Sequence, residues 1–181
     1  MKFLTILLFA TFEARNIPAF DGNHIDDNLR LKLLAYQNAT SISNENVERL
    51  WNQRTRSSSN GFLGAVYHLN THYSTTNHPI PFNAKKFNTG MEYNNGIFLI
   101  LEPGYYRIVA HLKSDDHRLE YFIVKNSREN LIYTRLEIGA VTSTHYIADL
   151  AQFDMVSIEL RYTATVGHAG NSNAIQIEKI N

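Results

Sequence analysis

From Phe62 onward, apolar and polar residues alternate along much of the chain. Tyr106, Ile108, Ala110 and Leu112 interleave with Arg107, Val109, His111 and Lys113. Val156, Ile158, Leu160 and Tyr162 interleave with Ser157, Glu159 and Arg161. Successive side chains on a strand point to opposite faces, so a period of two means strands with one buried face. The same reading predicts strands at Ala65–Leu69, Ile97–Leu101, Leu119–Val124, Leu131–Ile138, His145–Leu150 and Ala174–Ile180. Turn residues punctuate them: Asn94-Asn95-Gly96, Pro103-Gly104, Ser114-Asp115-Asp116, and Gly167 to Asn173. Many short strands at regular spacing, with no helical pattern between them, predict an all-β sandwich or jelly roll over residues 62–181.

The pattern is different before that. Leu29, Leu33, Tyr36, Thr40, Ser43, Val47 and Leu50 follow alternating steps of four and three. That is a heptad seam, and it predicts helix from Asn23 to Arg56. Asp26 and Asp27 suit the positive end of a helix dipole. Thr40 and Ser43 weaken the middle of the seam, and Ser41 to Asn44 is a candidate break. Two readings fit: a short coiled-coil stalk, or an amphipathic helix packed on its own domain. Asn16–Gly22, with Pro18, reads as a linker, and Ser57–Gly61 as a hinge, so residues 16–61 form a linker and helical segment.

The N-terminus, MKFLTILLFATF, has one lysine before a short apolar run. It reads as a secretory signal over residues 1–15, too short to span a bilayer. Cleavage after Ala10 or Ala14 is the expectation, and no later stretch is long enough for a membrane span. A secreted, extracellular location follows from the signal. Asn38-Ala39-Thr40 then becomes a glycosylation sequon at Asn38. The chain has no cysteine, so stability must come from core burial, with association as a further candidate source. Lys plus Arg and Asp plus Glu number 17 each, so no basic field advertises a nucleic-acid partner.

The stretch FNAKKFNTGMEYNNGIFLILEPGYY from Phe82 to Tyr106 resembles the signature of the complement C1q globular-head family. Its matching residues are Phe82, Asn88, Gly90, Tyr93, Gly96, Phe98, Pro103, Gly104 and Tyr106. Lys125-Asn126 resembles the family's Lys-Asn-Gly turn, and Leu150 with Asp154 and Val156 its Leu-x-x-Gly-Asp-x-Val stretch. Ser127 and Phe153 stand where that family has glycine, and Ile108 where an aromatic is usual. The Pro-Gly-x-Tyr strand start is shared with the tumour necrosis factor branch. The resemblance implies a jelly-roll sandwich, core and turn duty for the motif residues, and a homotrimer of heads.

The chemistry-bearing residues are sparse. His68 and His72 are four apart but in a strand-and-loop context, with no third ligand placed by spacing. Asp115-Asp116-His117 is a candidate ligand-binding loop tip, and the one candidate for calcium. A solvated hairpin turn is the plainer alternative. No nucleophile elbow or phosphate loop occurs. The expectation is a secreted binding protein without cofactor or catalysis. It would recognise glycans or microbial surfaces, as the resemblance implies for short secreted heads. A receptor-binding ligand of the tumour necrosis factor type and a structural matrix protein are the alternatives.

Overall fold

The structure is a computed structural model describing residues 27–53, 63–114, 118–161, 166 and 173–180. The described strands are β1 (Gly64–His68), β2 (Ala84–Thr89), β3 (Met91–Asn94), β4 (Ile97–Ile100) and β5 (Gly104–Lys113). They continue with β6 (Leu119–Lys125), β7 (Glu129–Leu136), β8 (Val141–Leu150), β9 (Met155–Leu160) and β10 (Ala174–Ile180). They form two five-stranded sheets, in the orders β2-β1-β10-β5-β8 and β3-β4-β9-β6-β7. The pairing of the named strands is antiparallel throughout. This is the expected jelly-roll sandwich.

The core lies between the sheets. Phe82, Phe98, Tyr106, Ile108, Tyr121, Leu150, Ile158 and Ile177 are fully buried there. Each large side chain contributes roughly 1.5–3 kcal/mol by leaving water. The sandwich is also closed by hydroxyls along one side. Tyr121 on β6 and Thr144 on β8 share a hydrogen bond of 2.6 Å, and Thr144 a second of 2.8 Å with Thr134 on β7. These link the two sheets beside the apolar core and satisfy the buried Thr144.

Strands predicted from alternation appear within a few residues of their expected ends. The sequence reading had no strand at β2 or β3. Both are edge strands and little of either is buried, so neither carries a clear apolar face. The turn between β3 and β4 is built as its residues suggest, with Asn95 at φ 50° and Gly96 at φ 87°. Two successive residues of positive φ match a hairpin turn of the I′ kind. At Gly96 a Cβ would also lie 2.4 Å from the Ile80 carbonyl oxygen, so the loop before β2 leaves room for nothing larger.

The helical segment is two helices, α1 (Asp27–Thr40) and α2 (Asn44–Gln53), broken where expected. Ser41 takes φ 56° and its N–H donates to the Gln37 carbonyl at 2.7 Å, which ends α1. Ser43 caps α2, accepting from the Asn46 N–H at 3.4 Å. The coiled-coil stalk is corrected here. Leu33, Tyr36, Val47 and Leu50 of the seam are buried on the chain's own sandwich, against Ile97, Leu99, Phe153 and Met155. The polar residues at the seam's centre are the end of one helix and the cap of the next, so the heptad spacing crosses a turn. No described helix is long and apolar enough to cross a membrane.

Candidate functional site

The sandwich has two outward faces, and they differ. On the β3-β4-β9-β6-β7 sheet, Ile97, Leu99 and Met155 point outward beneath α1 and α2. Phe153, in the turn before β9, packs its ring 6.5 Å from Trp51. Its φ is 61°, a conformation that side-chain-bearing residues rarely take. Asp154 follows it and is buried. It accepts from Lys32 Nζ of α1 at 2.6 Å, Lys125 Nζ at 3.3 Å, Asn126 Nδ2 at 3.0 Å and the Ala151 N–H at 2.8 Å. Burial alone would raise its carboxyl pKa, but the hydrogen bonds from Lys32, Asn126 and Ala151 outweigh it and hold the carboxyl below the ordinary range. Asn94 in the β3–β4 hairpin donates to the Thr40 carbonyl at 3.0 Å, and Arg49 of α2 pairs with Glu92 of β3 at 2.9 Å. The β4 and β9 part of this face is therefore occupied by the chain's own helices.

Further along the same sheet, Glu120 is buried under Arg118 and Arg161. Hydrogen bonding from Arg118, with smaller help from Tyr133 and then Arg161, holds its carboxyl low against the cost of burial. Arg161 also lies over the Tyr133 ring, 5.7 Å from its centre. The charges here are engaged with one another.

The outward face of the β2-β1-β10-β5-β8 sheet has no such cover among the described residues. Since Tyr106, Ile108, Ala110 and Leu112 of β5 face the core, Tyr105, Arg107, Val109, His111 and Lys113 face out. Opposite them on β8 stand Asp149, Ile147, His145, Ser143 and Val141. Tyr105 and Ile147 are each 60% exposed and Val141 58%, large values for apolar side chains grouped on one sheet. Phe87 on β2 adds another. An apolar group of this kind on a sheet face marks an interaction surface. We take this face as the candidate site.

The signature residues lie elsewhere. Tyr93 donates to the Phe82 carbonyl at 2.6 Å and accepts from the Gly96 N–H at 3.0 Å. Its ring sits 4.1 Å from Tyr67 and 4.6 Å from Phe98 between centroids. Burial, more than any neighbour, raises its phenol pKa. Asn88 donates to the Tyr67 hydroxyl at 3.0 Å. Tyr106 spans the Pro103-Gly104 turn, donating to the Glu102 carbonyl at 2.7 Å. Gly90 and Gly104 both have positive φ. The motif therefore sets core and turns.

Asn38 is exposed on α1, while Thr40 of the sequon is buried, its hydroxyl donating to the Tyr36 carbonyl at 2.6 Å. Asp115, Asp116 and His117 follow β5 and lie outside the described residues, as do the signal, the linker and the hinge. His68 is on β1, and His72 is in the loop that follows. Sequence reasoning missed Lys32, Phe153 and Asp154 as the seat of the helices. It also missed that His68, His111 and His145 share one sheet face, because only strand register brings them together.

No protein-family model matches the chain, and no curated protein matches it. Solved structures do. Murine APRIL at pH 8.5 superposes with a TM-score of 0.57 at 12% identity, over 66% of this chain and 100% of that one. Eiger TNF from S. frugiperda gives 0.55 at 13% identity, over 66% and 93%. The globular domain of zebrafish complement 1qA gives 0.53 at 18% identity, over 65% and 96%. Both branches suggested by the signature thus appear among the neighbours, and the chain has the fold of the C1q and tumour necrosis factor superfamily.

Proposed function

We propose that the chain is an extracellular binding protein that acts as a homotrimer and recognises glycan or microbial-surface ligands. The observation that carries the reading is the division of the two sandwich faces. One is covered over β4 and β9 by α1 and α2, and the other is left uncovered by the described residues, with exposed Tyr105, Val141 and Ile147. A chain without cysteine gains stability by burying such a face between copies. Ligand contact would then fall to loops at the ends of the strands, including Asp115, Asp116 and His117, with calcium as a candidate companion. The N-terminal signal supports secretion, and Asn38 would carry a glycan on the outward side of α1.

Binding of the purified chain to an array of glycans and to intact bacteria tests the reading. Saturable binding is expected, lost in the Asp115→Ala, Asp116→Ala double variant. No binding to either overturns it. A second reading, a ligand for a host cell-surface receptor, is favoured by the likeness to Eiger TNF. It predicts saturable binding to host cells instead.

A further inference from the structure

We propose that the β6 and β7 part of the β3-β4-β9-β6-β7 sheet, beyond the reach of α1 and α2, is a binding site for neutral saccharides. Tyr133 and Phe122 form its aromatic floor, and Arg118, Arg135 and Glu159 hydrogen-bond the sugar hydroxyls. This rests on the glycan reading above and gives it a place on the fold.

Strand register sets the geometry. The helices lie over Ile97 and Leu99 of β4 and Met155 of β9, and β6 and β7 continue the sheet beyond them. Since Leu119, Tyr121 and Ile123 of β6 face the core, Glu120 and Phe122 face outward. On β7, Arg135 stands opposite Glu120 and Tyr133 opposite Phe122. On the other side of Phe122 is Glu159 of β9. Two adjacent outward rows result: Arg135 with Glu120, then Tyr133, Phe122 and Glu159. The Phe122 and Tyr133 rings are 5.4 Å apart between centroids, with their planes at 45°. Tyr133 is 44% exposed, a large value for an aromatic ring on a sheet.

One buried acid holds these groups still. Glu120, although it faces outward, is 2% exposed. Its carboxylate accepts from Arg118 Nε at 3.0 Å and from Arg118 Nη2, from Arg161 Nη1 at 3.4 Å, and from the Tyr133 hydroxyl. The Arg161 main-chain N–H also donates to the Glu120 carbonyl at 2.8 Å. A buried carboxylate is costly unless so paired, and apolar packing would serve stability as well. Here the partners are side chains that stay near half exposed, 46% for each arginine. Recognition gains from such an arrangement, because side chains already oriented lose little freedom when a ligand arrives.

The chemistry selects the ligand. Aromatic faces carry partial negative charge and attract the weakly positive C–H bonds that a pyranose ring presents on one side. Around the rings, Arg118, Arg135 and Arg161 are matched by Glu120, Glu137 and Glu159. Charge so balanced gives an anion no net attraction. A hydroxyl both donates and accepts, so it suits guanidinium donors and carboxylate acceptors set side by side. Glu159 is itself steadied by the Ser157 hydroxyl, which donates to its Oε1 at 3.1 Å. Arg118 directly follows Asp115-Asp116-His117 in the chain, so the platform begins where the candidate ligand loop ends.

Surface plasmon resonance of the purified full chain over immobilised mannan, galactan and β-glucan tests this, with polygalacturonate as the acidic comparison and intact bacteria assayed in parallel. The wild type should bind at least one neutral polysaccharide saturably, and polygalacturonate no better. Tyr133→Leu keeps bulk over Glu120 but loses the flat ring, and should bind about tenfold more weakly. Arg135→Ala, which removes one partner of an exposed ion pair with Glu137, should also weaken binding. Circular dichroism should show both variants folded. If Tyr133→Leu does not fold, Arg135→Ala decides. Undiminished binding of a neutral polysaccharide by the folded variants overturns this site alone. Binding to polygalacturonate only, or to bacteria but to none of the neutral polysaccharides, overturns the neutral-saccharide assignment and leaves the broader reading standing. A wild type that binds neither polysaccharide nor bacteria overturns the glycan reading, and this proposal with it.

Discussion

Phe153 is the residue at which this chain parts most clearly from the C1q signature. A backbone at φ 61° costs a side-chain-bearing residue about 1 kcal/mol or more. Glycine would remove that cost. The ring, however, is fully buried beside Trp51 and under Leu33 and Leu50. Removing a buried phenylalanine costs about 3–5 kcal/mol, so packing outweighs strain. Phe153→Gly should therefore destabilise the protein by about 2 kcal/mol or more in urea unfolding, and should expose α1 and α2 to protease first. An unchanged or raised midpoint would show that the ring does not hold the helices. Tyr106 and Phe98, each wholly buried, behave more simply. Alanine at either should cost about 3–5 kcal/mol, a large share of a domain's stability. A cooperatively melting Tyr106→Ala with the wild-type midpoint would place the core elsewhere. Residue type alone foretold the core duty of these aromatics, because large apolar side chains in an alternating strand have few other places to go. It did not foretell the role of Asp154: the likeness to Leu-x-x-Gly-Asp-x-Val marks the residue, but not that Lys32 and Asn126 converge on it.

At the scale of elements, the two helices bring the finding least legible in the sequence. A heptad seam and a helix lying on a sheet need the same apolar stripe, and spacing cannot name the partner. The partner is a set of outward-facing apolar residues, Ile97 and Leu99 on β4 and Met155 on β9. Ile97 to Ile100 is an unbroken apolar run, buried on both faces. Such a run signals a strand covered on both sides. That was the available clue to the cap. β2 and β3 were hidden for the opposite reason, having too little burial to pattern them. The helices' ionic anchor makes a pH prediction. Asp154 is ionised in the folded chain at a pH below its ordinary range. Its contribution to stability is thus full above the unfolded carboxyl pKa of about 3.9, and is lost as pH falls through the lower folded value. Thermal midpoints should fall steeply below about pH 4 in the wild type and less steeply in Asp154→Asn, which should be the less stable of the two at neutral pH. Parallel acid limbs would remove Asp154 from the account.

The described residues are asymmetric through the thickness of the sandwich: helices, one sheet, a second sheet, then a face that none of them covers. Alternation along β5 and β8 was plain in the sequence, but alternation says only that a face is outward. Whether it meets water or another protein depends on what the other strands contribute to it, and that is a matter of register. Here register sets Ile147 opposite Arg107 and Tyr105 opposite Ile180. If copies of the chain meet on this face, Ile147→Asp places a carboxylate in a buried apolar contact in every protomer. An unpaired charge so buried costs several kcal/mol, enough to shift association by orders of magnitude. The isolated head should not suffer, since Ile147 is 60% exposed and the aspartate would remain in water. Leu31 provides the matched control, being 65% exposed but on α1, over the other sheet. Sedimentation should give a monomer for Ile147→Asp and a trimer for Leu31→Asp, with near-equal urea midpoints for the two at low protein concentration. If Leu31→Asp alone disrupts assembly, the helical side is the interface. If neither does, the exposed apolar face of the second sheet has some other use.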